Sequence, residues 1–198
     1  MMSITEWVAV AFGLACVALT IYQNIWCWPT GLVQVILYVG IFYQARLYSD
    51  VLLQLVYIVL QIYGWYHWVR GGPRDSTLAI SRLTPTSFSM WFLVSAIATG
   101  CLGFVMRRYT GAALPYWDAT ITILSLVAQY LLSRKTLENW LFWIAVDVLG
   151  IGVYAIKHLI ATSGLYGVFL VMAICGWLAW KKSFKAQAPV PGFDAVAA

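Results

Sequence analysis

The chain has 198 residues, of which 63% are hydrophobic and only 10% are charged. Soluble domains usually carry about 25% charged residues, so one soluble globule of this composition could not cover its own surface. The composition excludes a soluble enzyme, a disordered chain and a nucleic-acid-binding protein, in spite of a formal charge of +5. It indicates a protein that is surrounded mostly by lipid.

Seven apolar stretches are long enough, or nearly long enough, to cross a bilayer, which takes about 20 residues. The first stretch has no basic segment ahead of it, so it is predicted to be a retained span and not a signal peptide. In chain order the predicted spans are 5–22, 29–44, 51–69, 88–106, 116–132, 140–156 and 160–180. The predicted fold class is therefore an all-α integral membrane protein.

The basic residues of the loops predict the orientation of the chain in the membrane. With seven spans the two termini lie on opposite sides. Arg46, Arg107, Arg108 and Lys157 fall on one side, and all other Lys and Arg residues fall on the opposite side. The side richer in Lys and Arg is normally cytoplasmic. We therefore expect the N-terminus outside and the C-terminus in the cytoplasm.

Similar features recur in the two halves of the chain. In order, they are Trp7 and Trp117, the pairs Asn24/Trp28 and Asn139/Trp143, and the sequences Gly-Trp-Tyr-His-Trp at 64–68 and Gly-Trp-Leu-Ala-Trp at 176–180. Two halves of three spans joined by one linking span predict a 3+1+3 arrangement of parallel repeats. The predicted parts are a first repeat at 1–69, a loop and linker helix at 70–114, a second repeat at 115–182 and a disordered cytoplasmic tail at 183–198.

Three of the predicted spans each carry polar and aromatic residues along one helical face, at 100° per residue. Buried polar groups in a bilayer need partners or water, so these faces are predicted to point into the bundle. The candidate binding residues are Gln54, Tyr57, Gln61 and Trp65 in the third span, Gln129 in the fifth, and Asn139, Trp140, Trp143 and Asp147 in the sixth, with Asn24 and Trp28 at the equivalent place in the first half.

Hydrogen bonding between helices is the structural alternative for these polar residues, and it is sufficient for Thr122 and Ser125. Asp118 lies near the end of its span and is also expected to be structural. Asp147 is a different case, because its own helix offers no nearby Lys or Arg. Such a carboxylate is protonated, is paired across helices, or faces a wet cavity.

The candidate residues combine aromatic rings, amides and one carboxylate. This combination suits a flat, polar and possibly cationic ligand, since a cation gains about 0.5 to 2 kcal/mol over an aromatic face. The sequence contains no nucleophile motif, no nucleotide-binding motif and no acidic metal cluster, so no enzymatic activity, metal or cofactor is predicted. The four cysteines are predicted to be small hydrophobic residues.

Two segments of the chain resemble PnuC-type vitamin transporters. The first runs from Arg46-Leu47-Tyr48-Ser49-Asp50 to Gly64-Trp65-Tyr66-His67-Trp68, and the second runs from Tyr116-Trp117-Asp118-Ala119 to Glu138-Asn139-Trp140-Leu141-Phe142-Trp143. The resemblance extends over most of 24–180. The family includes nicotinamide riboside transporters, and it has relatives that carry thiamine or riboflavin.

The resemblance implies a seven-span bundle distantly like the SWEET sugar transporters, a homotrimer, and facilitated diffusion with cytoplasmic phosphorylation trapping the vitamin. It also implies that Asn139, Trp140, Trp143 and Gln129 hold the ligand. We therefore predict an inner-membrane transporter of nicotinamide riboside, with thiamine as the alternative substrate. A membrane-embedded enzyme and an interaction protein without transport activity are the alternatives from other classes.

Overall fold

The computed structural model describes residues 3–71 and 78–187. The described residues form seven α-helices joined by short connections. They are α1 (Ile4–Ile21), α2 (Cys27–Gln44), α3 (Tyr48–Arg70), α4 (Pro85–Tyr109), α5 (Pro115–Ser133), α6 (Asn139–Ile156) and α7 (Ile160–Gln187). Each helix covers one of the predicted spans. Four of them, α1, α4, α6 and α7, are long and apolar enough to cross a membrane.

Local sequence determines where several helices begin. At α1, the Ser3 hydroxyl accepts from the Glu6 amide at 3.2 Å, and the Glu6 carboxylate accepts from the Ser3 amide at 2.6 Å. This reciprocal pair satisfies amides that have no partner within the helix. At α4, Thr84 caps the first turn and Pro85 occupies a position where no amide hydrogen is needed.

Six of the helices form a closed ring in the order α1, α2, α3, α5, α6, α7 and back to α1. The fourth helix packs chiefly against α5, outside the ring. The two places where the first three helices meet the last three are therefore α3 against α5 and α7 against α1. The polar faces of α3, α5 and α6 are all on helices of the ring.

Specific contacts in the first half recur in the second, and one constant offset in residue number relates them all. The Trp28 ring packs against Gly64, and the Trp140 ring packs against Gly176. The positive-φ residues among the described positions follow the same offset, from Gln23 to Lys135 and from Arg46 to His158. Each of them lies in the short turn after a helix. The two halves are therefore built alike down to single side chains.

The constant offset corrects the equivalence predicted from Asn24/Trp28 and Asn139/Trp143. The counterpart of Trp28 is Trp140, because both rings fill the space above a glycine. The residue of the first half that corresponds to Trp143 is Gly31. The predicted match of Trp28 with Trp143 is wrong. Tryptophan is frequent in this chain, and that match also required small insertions.

The ends of two predicted segments differ from the structure. The disordered tail was predicted to start at 183, but α7 continues to Gln187 because the charged residues beyond the apolar stretch extend the same helix. Residues 188–198, the rest of the predicted tail, lie outside the described residues. The segment 78–84, predicted as a plain linker, is instead packed against the turn between α5 and α6.

Candidate functional site

Four tryptophans form a continuous chain of ring contacts at one end of the bundle. This end carries the α1–α2 and α5–α6 turns and the C-termini of α3 and α7, and we call it the basic end. Trp28 meets Trp68 edge to face, with ring centroids 5.3 Å apart, and Trp140 meets Trp180 in the same way at 5.6 Å. Trp68 and Trp180 join the two pairs at 5.9 Å. The chain therefore crosses from one half of the protein to the other.

Two of these indoles also link the halves through hydrogen bonds. Trp68 Nε1 donates to the Leu132 carbonyl at 3.1 Å, and Trp180 Nε1 donates to the Thr20 carbonyl at 3.0 Å. Each bond joins the end of the third helix in one half to the end of the first helix in the other half. The two bonds are equivalent under the constant offset that relates the halves.

The other two indoles and one amide keep unused hydrogen-bonding atoms. Within the described part of the chain, Trp28 Nε1, Trp140 Nε1 and Asn139 Oδ1 are buried and have no hydrogen-bond partner. Asn139 Nδ2 donates to the Thr136 carbonyl at 2.6 Å, which fixes the amide at the start of α6. A buried polar atom left unpaired costs about 1 to 3 kcal/mol. The structure thus holds two free donors and one free acceptor on residues that the sequence assigned to ligand binding.

Two glutamines meet between α3 and α5. Gln129 Nε2 donates to Gln61 Oε1 at 3.4 Å, and both side chains are buried. The Gln61 amide lies directly against Gly31 of α2, where any side chain would collide with it. The bundle therefore brings together two of the predicted binding residues, and a glycine makes the room for them.

One turn farther from the basic end, α3 and α5 are joined again. The Tyr57 hydroxyl donates to Ser125 Oγ at 2.5 Å, and Ser125 Oγ donates to the Thr122 carbonyl at 2.9 Å. Gln54 lies half-buried on the same helix as Tyr57. The bond from Tyr57 is the helix–helix hydrogen bond expected for Ser125, whereas Thr122 takes part only through its backbone carbonyl, within α5.

Trp143 and Asp147 lie on successive turns of α6. Trp143 is half-buried and packs against both apolar clusters of the bundle, the one around the four tryptophans and the one around Val127 and Phe142. Asp147 is 4% exposed, and no hydrogen bond or ion pair to its carboxylate occurs among the described residues. Asp147 therefore lies inside the bundle, as the polar face of its helix predicts.

Two of the predicted binding residues lie outside this interior. Asn24 is exposed in the α1–α2 turn, where its side-chain oxygen accepts from the Trp26 amide at 3.0 Å and so orders the turn. Trp65 is 40% exposed and lines a shallow surface hollow with Ile62 and Tyr66. The interior of α3 is defined instead by Gly64, against which Trp28 packs.

The structure also reveals polar interior residues that the sequence did not single out. Gln34 of α2 lies against Gly13 of α1, and Tyr166 of α7 lies against Gly150 of α6. Each of these side chains fills the space beside a glycine of a neighbouring helix. The glycines Gly13 and Gly150 are therefore the sequence signal that could have indicated them. Asp118 is structural as expected, since its carboxylate accepts two hydrogen bonds from Lys157 Nζ at 2.7 and 2.9 Å.

Lys135 places a positive charge beside the tryptophan chain. It lies in the α5–α6 turn, its Nζ is 4.7 Å from the centre of a Trp68 ring, and the residue is buried. Burial lowers the pKa of its ammonium group from the usual value of 10.5. Within the described residues, no cluster of three or more potential metal ligands occurs.

Comparisons with known proteins assign the fold to a family. A family model described as nicotinamide mononucleotide transporter matches residues 3–182. The nicotinamide riboside transporter PnuC of Escherichia coli (strain K12) is 30% identical over 207 residues, which cover 92% of this chain and 87% of that protein. The chain belongs to the PnuC-type transporter family. It is accordingly a multi-pass protein of the inner membrane, and membership in a transporter family argues against the enzyme alternative.

Other relatives define how far the family varies. The riboflavin/roseoflavin transporter RibM of Streptomyces davaonensis is 26% identical over 186 residues, which cover 90% of this chain and 85% of that protein. The crystal structure of the vitamin B3 transporter PnuC superposes with a TM-score of 0.72 at 26% identity, covering 91% of this chain and 82% of that chain. Relatives in one family thus carry vitamins of different chemistry.

Proposed function

We propose that this protein takes up nicotinamide riboside across the inner membrane by facilitated diffusion, and that phosphorylation in the cytoplasm traps the vitamin. The observation that carries the proposal is the interior of α6, which combines Asn139, Trp143 and Asp147. An indole face stacks on a pyridinium ring, an amide oxygen accepts from ribose hydroxyls, and a carboxylate attracts the positive charge. The named transport activity of the E. coli relative supports the same substrate.

The donors and acceptor left free at the basic end support a ligand rich in hydroxyl groups. Trp28 Nε1, Trp140 Nε1 and Asn139 Oδ1 have no partner among the described residues, and a ribose offers both hydroxyl donors and hydroxyl acceptors. The glutamine pair of Gln61 and Gln129 and the half-buried Tyr57 and Gln54 would form the facing wall.

Thiamine is the alternative among cations, because its flat ring and hydroxyl offer similar contacts. Riboflavin has support of a different kind, namely the relative RibM. Riboflavin is neutral, and it gains nothing from the charge of Asp147. The buried carboxylate therefore favours nicotinamide riboside and thiamine over riboflavin.

We further propose a 3+1+3 bundle of SWEET-like topology, with α4 as the linking helix and the pseudo-two-fold axis passing between Trp68 and Trp180. The ring order of the helices and the recurrence of contacts at one constant offset support it. The greater number of Lys and Arg residues at the basic end supports a cytoplasmic C-terminus. A homotrimer is proposed from the family resemblance.

Uptake into proteoliposomes tests the proposed function. Purified protein is reconstituted, and entry of labelled nicotinamide riboside, thiamine and riboflavin is measured with and without an enclosed kinase and ATP. We expect nicotinamide riboside to equilibrate without the kinase and to accumulate with it. If only thiamine or only riboflavin enters, that vitamin is the substrate and nicotinamide riboside is not. Accumulation without the kinase would contradict facilitated diffusion.

A further inference from the structure

A short segment between α3 and α4 is bonded to the turn that precedes α6. We call residues 78–84 the strap. The Ser81 amide donates to the Lys135 carbonyl at 3.1 Å, and the Leu137 amide donates to the Ser81 carbonyl at 2.9 Å. The Ser81 and Thr136 hydroxyls are 3.4 Å apart. The strap therefore pairs with the α5–α6 turn as a parallel β-bridge.

Glu138, the last residue of that turn, is bonded to the strap through both carboxylate oxygens. Its Oε1 accepts from Arg82 Nε at 3.0 Å, and its Oε2 accepts from the Leu83 amide at 2.9 Å. Glu138 is buried, whereas the Arg82 side chain is 55% exposed. Since both oxygens have partners in the strap, the carboxylate serves the strap and not a ligand.

The strap is also held from the side of the tryptophan chain. Ile80 is buried in the cluster that contains Trp68, Trp140 and Trp180. Its amide donates to Gln187 Oε1 at the end of α7, at 3.2 Å. The strap thus connects the first turn of α6 to the last turn of α7.

The equivalent turn in the first half is not covered to the same extent. Residues 135–138 are all buried, whereas the equivalent positions of the α1–α2 turn, 23–26, are exposed or half-buried. Trp26 stands where the second half has Glu138, and it is 64% exposed. The hydrogen bonds of the strap are therefore made to one half only, and this is the half that carries Asn139 and Trp143.

We propose that Glu138 is a positioning residue for the substrate site: by holding the strap, it fixes the first turn of α6 and with it the side chains of Asn139 and Trp140. This proposal rests on the proposed function. Asn139 donates to the carbonyl of Thr136, a residue whose neighbours on both sides are bonded to the strap. Release of the strap therefore loosens the residue that orients the Asn139 amide.

Two variants release the strap to different degrees. Glu138→Gln replaces one carboxylate oxygen by an NH2 group, which is a donor. The remaining oxygen can no longer accept from Arg82 and Leu83 as two separate oxygens do. Arg82→Ala removes only the exposed partner and leaves the backbone bonds, so it provides a milder variant. Glu6→Gln is the matched control, because Glu6 is half-buried in the first turn of α1, at the opposite end of the bundle, and its carboxylate also accepts from a backbone amide.

Calorimetry with nicotinamide riboside and hydrogen exchange on the purified proteins give the readouts. For Glu138→Gln we expect about a tenfold rise in Kd, the usual loss for one hydrogen bond to a charged group. Faster exchange at the amides of 81–83 and 137–140 should accompany it. Arg82→Ala should show a smaller change in the same direction, and Glu6→Gln should show none. Wild-type affinity in Glu138→Gln with faster exchange would overturn the proposal.

A covalent link distinguishes positioning from a direct role of the carboxylate. Ser81→Cys and Thr136→Cys place thiols where two hydroxyls now meet, so oxidation should tie the strap to the turn without Glu138. In the Glu138→Gln background, oxidation should restore the affinity, and reduction should remove it again. An oxidised protein that exchanges slowly but binds weakly would show that Glu138 acts in another way.

The design separates failure of this proposal from failure of the proposed function. If the wild type binds none of the vitamins, the function is wrong, and the exchange rates of residues 137–140 still decide whether Glu138 orders the turn. If the wild type binds, a change of exchange without a change of Kd rejects the positioning role alone. If Glu138→Gln does not yield folded protein, Arg82→Ala decides the question by the same two readouts.

Discussion

Trp143 is the residue whose orientation matters most for the proposed site. It lies on α6 one turn from Asn139, about 6 Å along the helix axis, and faces the interior. We expect Trp143→Ala to raise the Kd for nicotinamide riboside about ten- to hundredfold, through lost ring burial and cation–π attraction. Trp143→Phe should recover part of the affinity. Calorimetry on monodisperse protein measures both.

Trp65→Ala is the control for this prediction, since Trp65 is a large aromatic residue on the outer surface of α3. Its removal should leave the affinity unchanged. Lower yield or stability of Trp143→Ala with wild-type affinity in the folded fraction would show that Trp143 only supports the fold.

Asp147 should discriminate between cationic and neutral ligands. We expect Asp147→Asn to weaken the binding of nicotinamide riboside and thiamine several-fold, while a neutral, reduced analogue of nicotinamide riboside keeps its affinity. The reason is that the buried carboxylate has no cationic partner among the described residues, so its charge is available to the ligand. Competition binding with the three compounds measures the effect, and an equal loss for all of them would assign Asp147 a structural role.

At the residue scale, the sequence predicted the interior positions of Gln61, Gln129 and Asp147, because helical periodicity places polar residues of a span on one face. It failed for Trp65. The inward direction of α3 at its basic end is defined by Gly64, and a glycine carries no polar or aromatic signal. The unused atoms of Trp28 and Trp140 could not be predicted either, because they depend on how the rings pack.

At the element scale, two glycines allow α2 to approach α3 and α6 to approach α7. A methyl group at Gly64 or Gly176 would overlap the ring of Trp28 or Trp140. We expect Gly64→Ala and Gly176→Ala each to cost about 1 to 3 kcal/mol, as overpacking usually does. Thermal unfolding in detergent measures the loss. Gly100→Ala is the control, since nothing lies within 4 Å of the added atom, and it should be neutral or slightly stabilising.

The number of the helices and their approximate positions were predictable from hydropathy, because the lipid requires long apolar stretches with satisfied backbone groups. The strap was not. The Gly and Pro residues that flank it indicate a linker. In the structure it is bonded to Lys135, Leu137 and Glu138, from which it is separated in the sequence by the whole of α4 and α5. Pairing over such a distance leaves no periodic pattern in a single sequence.

At the scale of the whole molecule, the four tryptophans close the basic end from both halves at once. The ring contact of Trp68 with Trp180 is the place where the halves meet, and each of these residues donates to a carbonyl of the other half. A route for a vitamin through the basic end must therefore separate Trp68 from Trp180 or pass beside them. The closed arrangement is one state of the proposed transport cycle.

The equivalence of the two halves makes a quantitative prediction for this closure. Trp68→Phe and Trp180→Phe each keep an aromatic ring but remove the N–H group that bonds to Leu132 or Thr20. Each should lower the free energy of unfolding by at least about 1 kcal/mol, the net value of one hydrogen bond, with a further loss from the space that the smaller ring leaves, and the two losses should be similar. Thermal unfolding measures the losses, with the exposed Trp117→Phe as a control that should show none.

The double variant extends the argument from stability to transport. If the two bonds hold the basic end closed, their joint removal should raise the accessibility of a cysteine at Val127, a buried residue of α5, to a thiol reagent applied from the basic end. Added nicotinamide riboside should modulate that accessibility when it binds inside the bundle. Unequal losses in the single variants would contradict the pseudo-two-fold equivalence of the contacts. Unchanged accessibility in the double variant would show that packing of the rings, and not the hydrogen bonds, keeps the basic end closed.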